Sequence, residues 1–120
     1  MNTFLNTIRN HWFIVTAICL AMITTLSLYP LEQLPPVPGS DKTHHFIAYA
    51  GLVFPVALRK PSHWLYLCVC FIAWSGAIEI IQPYVNRYGE WLDMAANCTG
   101  IACGICLAYG LNTLYPRKSP

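Results

Sequence analysis

From Trp12 to Pro30 the chain reads WFIVTAICLAMITTLSLYP, without one charged residue. A helix needs about 20 mostly apolar residues to cross the hydrocarbon core of a bilayer, and this run is close to that length. With Arg9 ahead of it, the run also resembles the core of a signal peptide. It is long for that role and lacks a clear small-x-small cleavage site, so it reads as a retained membrane anchor.

Composition supports a bilayer as the solvent. Hydrophobic residues make up 56% of the sequence and charged residues 10%. Soluble domains carry about a quarter charged residues, so this chain has too few to coat a water-facing surface. The net charge of +2 is small and scattered. With no basic stripe interleaved with aromatics, nucleic acid is not expected as a partner.

Three more apolar runs follow, each separated by polar breaks. LEQLPPVPGSDKT is a Pro- and Gly-marked loop. HHFIAYAGLVFPVAL is short for a span, but helix from Ser40 or Asp41 onward lengthens it, with Ser40 as N-cap. Pro55 is expected to bend this helix rather than end it. After RKPSH comes WLYLCVCFIAWSGAIEIIQPYV, then NRYGE, then WLDMAANCTGIACGICLAYGLNTLY and a PRKSP tail. The expected fold is all-α: an integral membrane bundle of four transmembrane helices at about residues 12–30, 41–58, 64–85 and 91–115, one domain over 1–120.

The six cysteines all lie in apolar runs, where Cys acts as a small hydrophobe rather than as part of a disulfide framework. Neither Cys68-x-Cys70 nor Cys103 to Cys106 comes with a ligand loop or a paired motif. No metal and no cofactor is expected.

Lys and Arg in short loops set orientation. In the four-span arrangement Arg9, Arg59, Lys60, Arg117 and Lys118 fall on one side, while only Lys42 and Arg87 fall on the other. Both termini are therefore expected in the cytoplasm, with the connections around Asp41 and Arg87 facing outward. A bacterial plasma (inner) membrane is the expected location.

Polar residues gather at that outward end. Glu79 lies inside the third span, about 9 Å of helix from its outer end, with Gln82 three residues on and on the same face. In the fourth helix Asp93, Asn97, Gly100 and Gly104 form one stripe, and Ala96, Gly100 and Gly104 have small-xxx-small spacing. In the second, Asp41, His45 and Tyr49 share a face. Antiparallel packing would bring these three patches into one outward-opening pocket.

Blander readings stand beside that one. A membrane Gln is usually an interhelical hydrogen-bond partner and Gly-xxx-Gly is usually packing, so Gln82, Gly100 and Gly104 read first as structural. Arg87 is as readily a snorkelling or ion-paired residue. His11, His44 and His63 mark the interface, Trp12, Trp64 and Trp91 an aromatic belt, and Trp74 packing. His45, Glu79 and Asp93 read as functional, because ionisable groups inside a membrane are costly to keep.

Two stretches resemble a known family. SDKTHHFIAYAGL resembles the D-K-x-x-H-F opening of the VanZ-like family, and EIIQPYVNRYGEWLDMAANCTG resembles its E-x-x-Q…R…D-x-x-x-N-x-x-G block. The matching positions are Asp41, Lys42, His45, Phe46, Tyr49, Glu79, Gln82, Arg87, Asp93, Asn97 and Gly100, within residues 40–104. Asn86 departs from a Pro-Gly turn found before the Arg in many members. The resemblance implies a small integral membrane protein, and the family's namesake is associated with teicoplanin resistance.

The expected function is binding or modification of a membrane lipid or lipid-linked cell-envelope component, with an effect on glycopeptide susceptibility. His45, Glu79 and Asp93 are the candidate catalytic acids or bases. Asp41, Lys42, Tyr49, Gln82, Arg87 and Asn97 are candidate binding residues, Lys42 and Arg87 as anion contacts. No nucleophile–base pair is legible, so an enzyme and a non-catalytic binder both remain open. The alternatives are a structural membrane subunit and a small proton-coupled transporter with Glu79 as proton carrier. Small exporters of that kind use an acidic residue in the first helix, which has none here.

Overall fold

The computed structural model describes residues 2–28, 41–85 and 91–116. Among these it contains five α-helices: α1 (Asn2–Asn10), α2 (Trp12–Leu28), α3 (Asp41–Arg59), α4 (Trp64–Ile81) and α5 (Trp91–Leu114). A 3₁₀ turn, Gln82–Val85, extends α4. Pro83 lacks the N–H that would continue an α-helix, so the chain tightens there instead.

Helix α1 has no counterpart among the expected spans. Leu5 and Arg9 on one face are buried, and Ile8 packs with Leu5 against Ala57, Leu58 and Ala108. Phe4 on another face is exposed. The axis turns by 75° between α1 and α2.

Helix α3 is the centre of the bundle. Leu52, Val53, Val56, Ala57 and Leu58 are buried, as is Pro55. Around it stand Ile23 of α2, Phe71 and Ile78 of α4, and Ile101 of α5 in one apolar cluster. At its end the chain leaves through Lys60, whose φ of 52° is a left-handed C-terminal cap, and Pro61 prevents continuation. The Lys60 ammonium sits 5.8 Å from the Trp64 ring and 5.6 Å from the Tyr109 ring, within cation–π range.

Two glycines determine how α3 meets α5. A Cβ on Gly100 would overlap the Phe46 carbonyl oxygen, and one on Gly104 would lie 2.7 Å from the Ala50 carbonyl oxygen. The small-xxx-small face is thus pressed against the α3 backbone. The separation of 54 that joins Asn112 Nδ2 to the Leu58 carbonyl also separates Gly100 from Phe46 and Gly104 from Ala50. A constant offset means that α3 and α5 run parallel. The N-termini of both helices therefore lie at one end of the bundle.

The outer faces are apolar. Ile14, Ile18, Met22 and Leu26 of α2, Leu65 and Val69 of α4, and Leu107 of α5 are all exposed. A contiguous apolar exterior of this extent marks a surface made for lipid or for another apolar partner. Trp64–Ile81 and Leu92–Leu114 are long and apolar enough to cross a membrane, and a third crossing follows if bent α1 and α2 form one span. Helix α3 falls outside that set because Asp41, Lys42, His44 and His45 crowd its first turns.

Candidate functional site

The site forms where the first turns of α3 and α5 meet the end of α4. Because α3 and α5 are parallel, His45 and Asp93 lie near the same end, and antiparallel α4 brings Glu79 to them. One ligand-type atom from each of His45, Glu79 and Asp93 lies within 4.8 Å of the others. Asp93 is 4% exposed, while His45 and Glu79 are half-buried. Two ionised carboxylates this close would repel by roughly 3 kcal/mol or more at an effective dielectric of about 20. The cluster therefore suits a proton or a cation held between them.

A hydrogen-bond chain fixes the histidine. Asn97 Oδ1 is 2.9 Å from His45 Nδ1, and Asn97 Nδ2 donates to Ser75 Oγ. Since the amide's donor end is committed to Ser75, its oxygen faces the ring and must accept from it. With the amide in this orientation Nδ1 donates to Asn97 Oδ1, and Nε2 is the ring nitrogen not used in this contact. Ser75 Oγ in turn donates to Met94 Sδ at 3.2 Å. The Tyr49 hydroxyl also interacts with Ser75.

Tyr49 is buried on α3. Gln82 is buried too, but its Nε2 donates to the Ser27 carbonyl at 3.0 Å, which ties the end of α4 to α2. Its Oε1 is buried with no hydrogen-bond partner among the described residues. Asp41 and Lys42 open α3. Arg87 lies outside the described residues, so its expected place at the mouth of the pocket is not described.

Ser75 escaped the sequence reading. It sits in an apolar run and has no charge to draw notice, yet it lies four residues before Glu79 on the same helical face. That spacing was the available signal. Trp74, beside it, donates from Nε1 to Thr24 Oγ1 at 2.9 Å and joins α4 to α2. All six cysteines are free.

The opposite end of the bundle is closed by Arg9, which is 0% exposed. Its guanidinium donates to Asn6 Oδ1, to Asn112 Oδ1 and to the Tyr115 carbonyl, each at 2.7 Å. Arg9 thereby holds α1 to the C-terminal end of α5.

Neither curated proteins nor solved structures give a match to the sequence. Comparison with protein families matches VanZ/LLP1 over residues 3–113, which takes in α2 and most of α1 as well as the two motif stretches. With nearly the whole length matched, the chain belongs to the VanZ/LLP1 family.

Proposed function

We propose that this chain is a multi-pass protein of a bacterial plasma membrane whose polar pocket binds a lipid-linked cell-envelope component through its anionic head group. The observation that carries this reading is the meeting of His45, Glu79 and Asp93 at one end of an otherwise apolar bundle. Ionisable groups are costly at membrane depth, and three from three helices gathered at one point call for a ligand-directed role.

The proposal takes α3 as the fourth span. Its 19 residues make about 28 Å of helix, and its polar side chains at His45 and Tyr49 turn inward, toward α4 and α5. Helix α2 is taken as the first span, with α1 packed beside it on Ala57, Leu58 and Ala108. Both termini are cytoplasmic and the pocket opens to the outside, following the excess of Arg and Lys near residues 9, 59, 60, 117 and 118. Lys42 and Arg87 are the cations assigned to a phosphate in this reading. Occupancy of such an envelope intermediate is the route by which the protein would alter glycopeptide susceptibility.

The test is native mass spectrometry of the purified protein with a polyprenyl phosphate. The wild type is expected to retain the lipid, and Arg87→Ala to lose at least ten-fold in apparent affinity. Equal retention by both would refute the assigned anion contact, and no retention by the wild type would refute the reading itself.

A further inference from the structure

We infer that His45, Glu79 and Asp93 form a binding site for one divalent first-row metal ion. The site is the pocket of the proposed function, and the inference rests on that reading only for its biological purpose.

The donor set is one imidazole and two carboxylates, drawn from three helices, with ligand atoms within 4.8 Å of one another. Zn²⁺ and Mn²⁺ take such ligands at about 2.0–2.2 Å, so closing onto a metal requires side-chain adjustment on the order of an ångström. His45 and Glu79 are half-buried, which leaves their side chains room for it.

The second observation is the orientation of the histidine. Metal-bound histidines characteristically donate the other ring N–H to a fixed acceptor, which sets the tautomer and ring angle. His45 Nδ1 has that acceptor in Asn97 Oδ1, itself fixed through Nδ2 by Ser75. The ring nitrogen not engaged by Asn97 is Nε2. Asn97 is buried and bridges α3, α4 and α5, so the acceptor does not depend on solvent.

A divalent ion held there would add positive charge for the anionic head group of the proposed function. Three protein ligands leave a coordination position open for an oxygen from a phosphate or for water, as in catalytic rather than structural metal sites. Softer thiolate ligands are absent from the trio, which favours Mn²⁺ or Zn²⁺ over Cu(I).

Mn²⁺ is the probe of choice, because carboxylates suit it and the six cysteines do not. The purified full chain in detergent is titrated with Mn²⁺, followed by electron paramagnetic resonance, with no lipid substrate added. About one ion per chain is expected, with nitrogen coupling from an imidazole. Glu79→Gln and Asp93→Asn should each weaken binding by at least ten-fold, and Asn97→Ala by about 10–100-fold, because His45 loses the acceptor that fixes its ring. A variant lacking His11, His44 and His63 should keep the nitrogen coupling, since His45 is then the remaining histidine. That last measurement decides the matter even if the carboxylate variants fail to fold.

Failure to bind Mn²⁺ or Zn²⁺ below millimolar concentration, or loss of nitrogen coupling in the His45-only chain, would overturn the site. Polyprenyl phosphate retained equally in chelator while no metal binds would discard the metal and keep the lipid pocket. Metal bound without any lipid retention would do the reverse.

Discussion

His45 and Asn97 are joined at 2.9 Å between Nδ1 and Oδ1, across the interface of two parallel helices. The contact locks α3 to α5 at the end where the ionisable groups gather, and it leaves Nε2 as the ring nitrogen not engaged by Asn97. Asn97→Leu removes the acceptor for His45 and the donor for Ser75. Polar contacts between membrane helices are worth about 0.6–2 kcal/mol, so a loss of that order is expected in detergent-unfolding titrations. Asn97→Gln should recover part of it, and a variant as stable as wild type would argue against the chain of bonds.

Packing of α5 on α3 should be intolerant of side chains at its two buried glycines. Gly100→Val and Gly104→Val place atoms against the α3 backbone at Phe46 and Ala50, and overpacking costs about 1–3 kcal/mol or more. Gly51 and Gly110 have nothing within 4 Å of the position a Cβ would take. Alanine at either should leave the melting temperature unchanged or raise it slightly, as helix propensity favours Ala over Gly by up to about 1 kcal/mol. Equal sensitivity at all four positions would contradict the close approach.

Arg9 is expected to be irreplaceable by lysine. Its fork reaches Asn6, Asn112 and the Tyr115 carbonyl at once, a geometry an ammonium cannot reproduce. Hydrogen bonds from charged donors contribute about 1.5–3 kcal/mol. Arg9→Lys should therefore lower stability by about that much and expose α1 to limited proteolysis. A protease pattern identical to wild type would show that α1 is held by its apolar face alone.

The helical runs were legible because uncharged stretches are bounded by Pro, Gly and charge. The gathering of His45, Glu79 and Asp93 was legible from i, i+4 spacing and the alternation of helix directions. Less was visible of α1, whose nine residues are too mixed to read as a span and whose arginine turns inward to Asn112 and the Tyr115 carbonyl. Ser75 was hidden because a hydroxyl in an apolar run carries no compositional signal. What spacing did not show is that one ligand-type atom from each comes within 4.8 Å of the others, since the three donors lie on three helices. Of the four expected spans, two stand by length and hydropathy, α2 adds a third only together with α1, and α3 falls short because its polar first turns lower its hydropathy.

Orientation has its own check. A reporter active only outside the cytoplasm, fused after Glu90, should be active, and the same reporter fused at the C-terminus should be silent. The reverse pattern would place the pocket on the cytoplasmic side and remove the envelope component from its reach.

The central claim is that ligand enters where α3, α4 and α5 bring their polar residues together, and photo-crosslinking tests it most directly. A polyprenyl phosphate carrying a photoreactive group near its head is bound to the protein in membranes, irradiated, and the adducts mapped by mass spectrometry. Adducts should fall near His45, Tyr49 and Asp93, and should be competed away by unlabelled polyprenyl phosphate. Adducts spread along the exposed face of α2, from Ile14 to Leu26, and unaffected by competitor would contradict the account.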